Sequence, residues 1–299
     1  MEPTRRQTLA LALAGAGLTL PGRASAASDC PSPAPAWKPG IEGQRTADLG
    51  DGRYLNPILA GDRPDPNILK DGDDYYATFS SFQYYPGIPI WHSRDLVNWT
   101  PLTTALKQHI GIVWALDIAK HDGRYFIYIP ALDPSDAKRG IKTWVIHAEN
   151  MAGPWSDPID MKIDNLIDPG HAVGEDGKRY LFLNGGNRVR ISDDGLSAAG
   201  PVEHVYDGWP IPQDWIIEGF ALEGPKVLRR DGWFYQFSGR AGRPDRRPVI
   251  WSLSRVRARS TGRGRIARTI RSSAPSGRAS PGGRAVTRRQ SRAPRATGG

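Results

Sequence analysis

The chain has 299 residues, enough for one large or two small domains, and its 40 lysines and arginines against 31 acids give a formal net charge of +9. That charge does not belong to one folded surface: from Gly239 to the end there are seventeen arginines, no lysine and one acid, Asp245, which makes that segment +16 and leaves −7 for everything before it. A single cysteine, Cys30, excludes an internal disulfide framework and a cysteine-based zinc site, whereas ten tryptophans and ten tyrosines supply flat rings with polar edges, suited to cores and to stacking on sugars.

In chain order, "TRRQTLALALAGAGLTLPGRASAAS" has paired arginines (Arg5, Arg6), an apolar run too short to span a membrane, and a small-residue "ASA" ending near Ala27. It reads as a twin-arginine-type signal peptide over residues 1–27, which predicts an exported protein with no membrane span. Residues 28–50 follow as a linker, opening on "SDCPSPAPAWKPG".

Four later segments share one outline: "NILKDGDDYYATFS" (67–80), "IAKHDGRYFIYIP" (118–130), "AVGEDGKRYLFLN" (172–184) and "VLRRDGWFYQFS" (227–238). Each is a short apolar run, an Asp-Gly type turn, then an aromatic run, which is the signature of a β-hairpin. The turn glycines Gly72, Gly123, Gly177 and Gly232 are 51, 54 and 55 residues apart, and a third strand follows the first three hairpins. A β-sandwich could hold similar hairpins, but a repeat of this length with three or four strands is the period of a propeller blade. The expected fold class is therefore all-β, a propeller with about three and a half legible blades over residues 51–240.

An acid precedes each hairpin: Asp65, Asp117, Asp168 and Glu223, lying 7, 6, 9 and 9 residues before the turn glycine. The first strand of a propeller blade is the innermost, so acids in phase with the repeat should converge at one end of the central channel. Clustered carboxylates with aromatics nearby suit glycoside hydrolysis, in which one acid protonates the leaving oxygen while a carboxylate activates water or attacks the sugar. A third carboxylate holds the acid's pKa up, since like charges disfavour ionisation. The rival use of such a ring is cation binding by hard oxygens.

These residues resemble glycoside hydrolase family 43. "NPILAGDRPDPNILKDGDDYYATFSSFQYYPGIPIWHSRDLVNW" is similar to the β-xylosidase-type opening of that family, "IDPGHAVGEDGKRYLF" to its middle motif and "LEGPKVLRRDGWFYQFS" to its third, over about Tyr54 to Ser238. The resemblance implies a five-bladed β-propeller and an inverting hydrolase acting on xylosides and arabinosides. Carried over by position, Asp65 is the general base, Asp168 the pKa modulator and orienting group, and Glu223 the general acid; Phe82 and Trp114 look like the sugar-facing aromatics, and Asp117 like a further substrate-binding acid. One departure is Gly170, in "DPGH" where the family usually has Ser or Asn.

Beyond Ser238 the family's His-bearing strand and fifth blade are not legible, and 241–299 is expected to be an arginine-rich disordered tail. Back-translation suggests a cause. "SPGGRAVT" (280–287) permits AGC CCT GGT GGT CGC GCG GTC ACG, which reads Pro-Trp-Trp-Ser-Arg-Gly-His one base earlier and so contains the Gly-His pair expected of the fifth blade. Residues 245–261 and 261–274 permit family-like text in the same way, which predicts a frameshift between about Phe237 and Asp245. A nucleic-acid-binding arm is disfavoured, because no aromatic follows Trp251 to stack on bases.

The expected function is removal of xylose or arabinofuranose ends from xylan- or arabinan-derived oligosaccharides, with no required cofactor, no metal ligand set, and room for a structural cation in the channel. Loss of the last blade would leave this chain poorly folded or inactive. A non-catalytic carbohydrate-binding propeller is the alternative.

Overall fold

Among the described residues, seventeen strands fall into four antiparallel sheets in chain order. The first holds β1 (Asn67–Asp71), β2 (Asp74–Thr78), β3 (Gly87–Ser93) and β4 (Thr100–Leu106). The second holds β5 (Ile112–Val113), β6 (Asp117–His121), β7 (Arg124–Leu132), β8 (Ile141–Ala148) and β9 (Ile159–Asp164). β10 (Gly170–Val173), β11 (Arg179–Leu183), β12 (Asn187–Ile191) and β13 (Ala198–His204) make the third; β14 (Ala221–Arg230), β15 (Trp233–Ala241), β16 (Ile250–Val256) and β17 (Ile266–Ala267) make the fourth. This computed structural model describes residues 38–208, 210, 221–241, 250–256 and 266–267, all but Lys38 in one compact unit. The predicted signal peptide and residues 28–37 of the predicted linker lie outside them, and among the described residues no helix is long and apolar enough to cross a membrane.

The turns follow from their residues. Asp122-Gly123 and Asp231-Gly232 both place two successive residues at positive φ (47° and 78°, 51° and 73°), the backbone of a type I′ hairpin turn, whose twist matches that of the strands it joins. All four predicted hairpins form: β1 with β2, β6 with β7, β10 with β11 and β14 with β15.

The sheets pack face to face, and β7 shows how. Its run "RYFIYIPAL" is buried along most of its length because it serves two cores. Tyr125, Ile127 and Ile129 pack with Ile88, Ile90 and Leu106 of the first sheet, while Phe126 and Tyr128 pack with Leu181, Val189 and Ile191 of the third. Side chains alternate faces along a strand, so a sheet between two neighbours must be apolar on both.

At the C-terminal side the fourth sheet continues beyond its predicted hairpin. Ile250–Val256 pairs antiparallel with β15 from Arg240↔Ile250 to Phe234↔Val256, and Ile266–Ala267 pairs with it in turn. The physical reason lies in "IWSLSRV", where the apolar Trp251 and Leu253 alternate with Ser252 and Ser254 amid the arginines.

Candidate active site

The four inner strands β1, β6, β10 and β14 begin close together. Asp65 stands two residues before β1, Asp117 opens β6, Asp168 stands two residues before β10, and Glu223 is the third residue of β14. The convergence read from the repeat is thus present as contacts between sheets. The Gly224 N–H, next to Glu223, donates to Asp168 Oδ2 at 2.9 Å. Asp117 joins all four sheets: its Oδ1 accepts from Asn67 Nδ2 at 3.0 Å and from Lys226 Nζ at 2.7 Å, and its Oδ2 accepts from the His171 N–H at 2.7 Å.

Burial separates the acids. Asp168 is 8 % exposed, and loss of water raises its carboxyl pKa to about 6. The Gly224 N–H opposes that rise; the charge of Glu223 adds to it, Lys226 opposes it, and the charge of Asp65 adds a last contribution. The three carboxylates named by the resemblance therefore share one electrostatic neighbourhood. Asp65 is exposed and accepts from Ser80 Oγ at 2.5 Å, while Ser80 is buried and donates its own N–H to the Pro64 carbonyl at 3.1 Å. Asp65 and Asp168 both sit at positive φ, 52° and 58°, a backbone that aspartate and asparagine tolerate better than most residues.

Phe82 and Trp114 lie on one crossing between the first two sheets. Phe82, at φ 45°, exchanges two backbone hydrogen bonds with Val113, each 3.0 Å, and Trp114 donates its N–H to the Pro130 carbonyl at 3.0 Å. Both rings are half-buried and belong to none of the described core clusters, unlike Val113 between them. Asp117, only 6 % exposed and accepting from three donors, is a joint between sheets.

Several residues escaped the sequence reading. Asn67 reaches Asp117 and the Leu116 carbonyl, and Lys226 reaches Leu116, Asp117 and Pro169; their only sequence signal is nearness to Asp65 in "RPDPN" and to Glu223 in "LEGPK". Gly170 departs from the family pattern for a visible reason: a Cβ there would run into the Pro225 carbonyl oxygen. Behind the site, buried Arg179 donates from Nε to His171 Nε2 at 3.1 Å and from Nη2 to the Tyr128 hydroxyl at 2.8 Å. Burial, then the Arg179 charge, holds the His171 ring down at about 4, so it is neutral and carries its proton on Nδ1. Among the described residues no three His, Cys, Asp or Glu side chains are grouped to hold a metal ion.

Known proteins are similar to this chain in sequence and in fold. An α-L-arabinofuranosidase of Bacteroides ovatus acting at non-reducing ends is 35% identical over 206 residues, 65% of this chain and 37% of its own length. A xylan 1,3-β-xylosidase of a Vibrio species is 31% identical over 217 residues, 62% of this chain and 38% of its own. Among solved structures, a family 43 protein from Bacillus licheniformis superposes with a TM-score of 0.61 at 27% identity, covering 72% of this chain and 43% of its own. The chain thus spans under half the length of these relatives. The sequence profile described as "Glycosyl hydrolases family 43" matches residues 54–255, past Ser238 where the resemblance was expected to stop and in step with β16. With its four blade-like sheets, its acids at the starts of the inner strands and this match over most of its length, the chain belongs to glycosyl hydrolase family 43.

Proposed function

We propose that the chain is built to release xylose or arabinofuranose from the ends of hemicellulose-derived oligosaccharides by a single displacement with inversion. Asp65, held by Ser80, is the general base that activates water; Glu223 is the general acid that protonates the leaving oxygen; Asp168 is the modulating carboxylate that orients that acid. Phe82 and Trp114 give the sugar ring its apolar walls. Inversion requires the carboxyl groups of Asp65 and Glu223 to stand roughly 6.5–9.5 Å apart, which leaves room for the water.

The observation that carries this reading is the bond from the Gly224 N–H to the buried Asp168 carboxylate, which sets the modulator beside the acid. Asp65 is exposed and the Lys226 side chain is 37% exposed, so the described site is open to water on the side between the first and fourth sheets. Charges interact more weakly in such a medium, and we infer that turnover by this chain is slow.

The test uses xylobiose and an arabino-oligosaccharide, whose poor leaving groups need the acid. Glu223→Gln should lower turnover by about 10²–10⁴-fold. Proton NMR of the first product should show α-xylose from the β-linked substrate; β-xylose as first product would rule out inversion. Saturable binding of xylobiose with no product after prolonged incubation would favour a sugar-binding propeller.

A further inference from the structure

Lys226 lies three residues after Glu223 on β14. On a regular strand residues three apart face opposite ways, but β14 is irregular here: Glu223 pairs with Gly239 and Lys226 with Phe237, so three steps on one strand oppose two on the other. That bulge turns Lys226 to the face of Glu223. Gly224, at φ 58°, lies within it and sends its N–H to Asp168.

The Lys226 ammonium has three N–H donors, and three acceptors meet it: Asp117 Oδ1 at 2.7 Å, the Pro169 carbonyl at 2.8 Å and the Leu116 carbonyl at 3.3 Å. A lysine on an ordinary solvated face would spend those donors on water. Here they end on the residue after Asp168, on Leu116 just before β6 and on Asp117, its first residue, and Asp117 passes the connection on to Asn67 of β1.

We propose that Lys226 is a positioning residue of the three-carboxylate site: its ammonium fixes the starts of β6 and β10 against the bulge that carries Glu223, and so sets where Asp168 stands relative to that acid. The inference rests on the hydrolase reading for its purpose, but not for its geometry. The charged groups facing the ammonium are Asp117 from β6, Asp168 ahead of β10 and Glu223 on its own strand. Removing the cation withdraws a favourable charge from Asp168 and loosens the Gly224 bond together.

Carboxyl-¹³C NMR titration of the full chain, with Asp168 assigned through Asp168→Asn, reads the first effect, and hydrogen exchange of the Gly224 amide reads the second. In Lys226→Met the Asp168 midpoint should move to higher pH by about half a unit or more, and Gly224 should exchange at least about tenfold faster. Removing Lys226 takes the cation from the buried Asp117 carboxylate, so Lys226→Met can fail to fold; the double variant Lys226→Met/Asp117→Asn carries no stranded charge and should show the same two changes. Lys226→Arg keeps the charge but cannot converge a compact ammonium on three acceptors, so it should hold the midpoint while Gly224 still exchanges faster. A folded Lys226→Met or double variant with both readouts unchanged overturns the proposal. Neither readout needs turnover, so a wild-type chain inert on xylobiose and arabino-oligosaccharide would count against the hydrolase reading and leave this one standing.

Discussion

Asp168 carries two demands that conflict, and pH separates them. Its folded-state pKa, about 6, lies above the 3.8 of an unperturbed aspartate, so the folded chain holds this proton more tightly than the unfolded one. The stabilisation is full below pH 3.8 and is lost as pH rises through about 6, a cost on the order of 3 kcal/mol at pH 8. Asparagine keeps an oxygen for the Gly224 N–H and tolerates the φ of 58°, so Asp168→Asn should unfold at higher temperature than wild type at pH 8 and at the same temperature near pH 3.5. A constant difference across that range would show that the carboxyl is not perturbed by burial. His171 works the other way: with its pKa held near 4 against 6.5, it contributes stability that is lost as pH falls through that window, and in Asp168→Asn nothing at residue 168 offsets that loss. The convergence of Asp65, Asp168 and Glu223 was legible because acids repeat in phase with the turns. Lys226 and Asn67 were not, because their roles depend on partners 109 and 50 residues away in sequence.

At the scale of elements, hairpins were the most legible feature, since an Asp-Gly turn and a period-two pattern are local and name their own register. β16 was hidden by composition: arginines around "VIWSLS" mask a strand whose alternation is intact. The approach of β10 to β14 was equally invisible, for it is set by what Gly170 lacks. Since a Cβ there would strike the Pro225 carbonyl, Gly170→Ala should push the two inner strands apart and destabilise the fold by about 1–3 kcal/mol, the usual cost of overpacking. Urea unfolding checks this. An unchanged midpoint would mean that the fourth sheet yields freely, whereas Gly177→Ala, in open space but at φ 71°, tests backbone strain alone.

Over the whole molecule, charge is divided between a body of −7 and an arginine-rich segment of +16. Opposite charges on one chain invite contacts between copies, and such contacts weaken as the screening length falls from ~30 Å at 0.01 M salt to ~3 Å at 1 M. Light scattering should therefore report a mass above the 32.8 kDa of one chain at low salt that falls towards it by about 0.5 M sodium chloride. A mass independent of salt would count against it. The joint at Asp117 bears on how this molecule is lost on heating. In a linear stack of repeats, each unit can peel away and leave its neighbours intact. Here one buried carboxylate accepts from three other sheets, so the departure of any of them takes a hydrogen bond from it, and the departure of the fourth takes its cation as well. The site then has no half-assembled, weakly active form to pass through, and a plot of activity against temperature should end as abruptly as the fold itself.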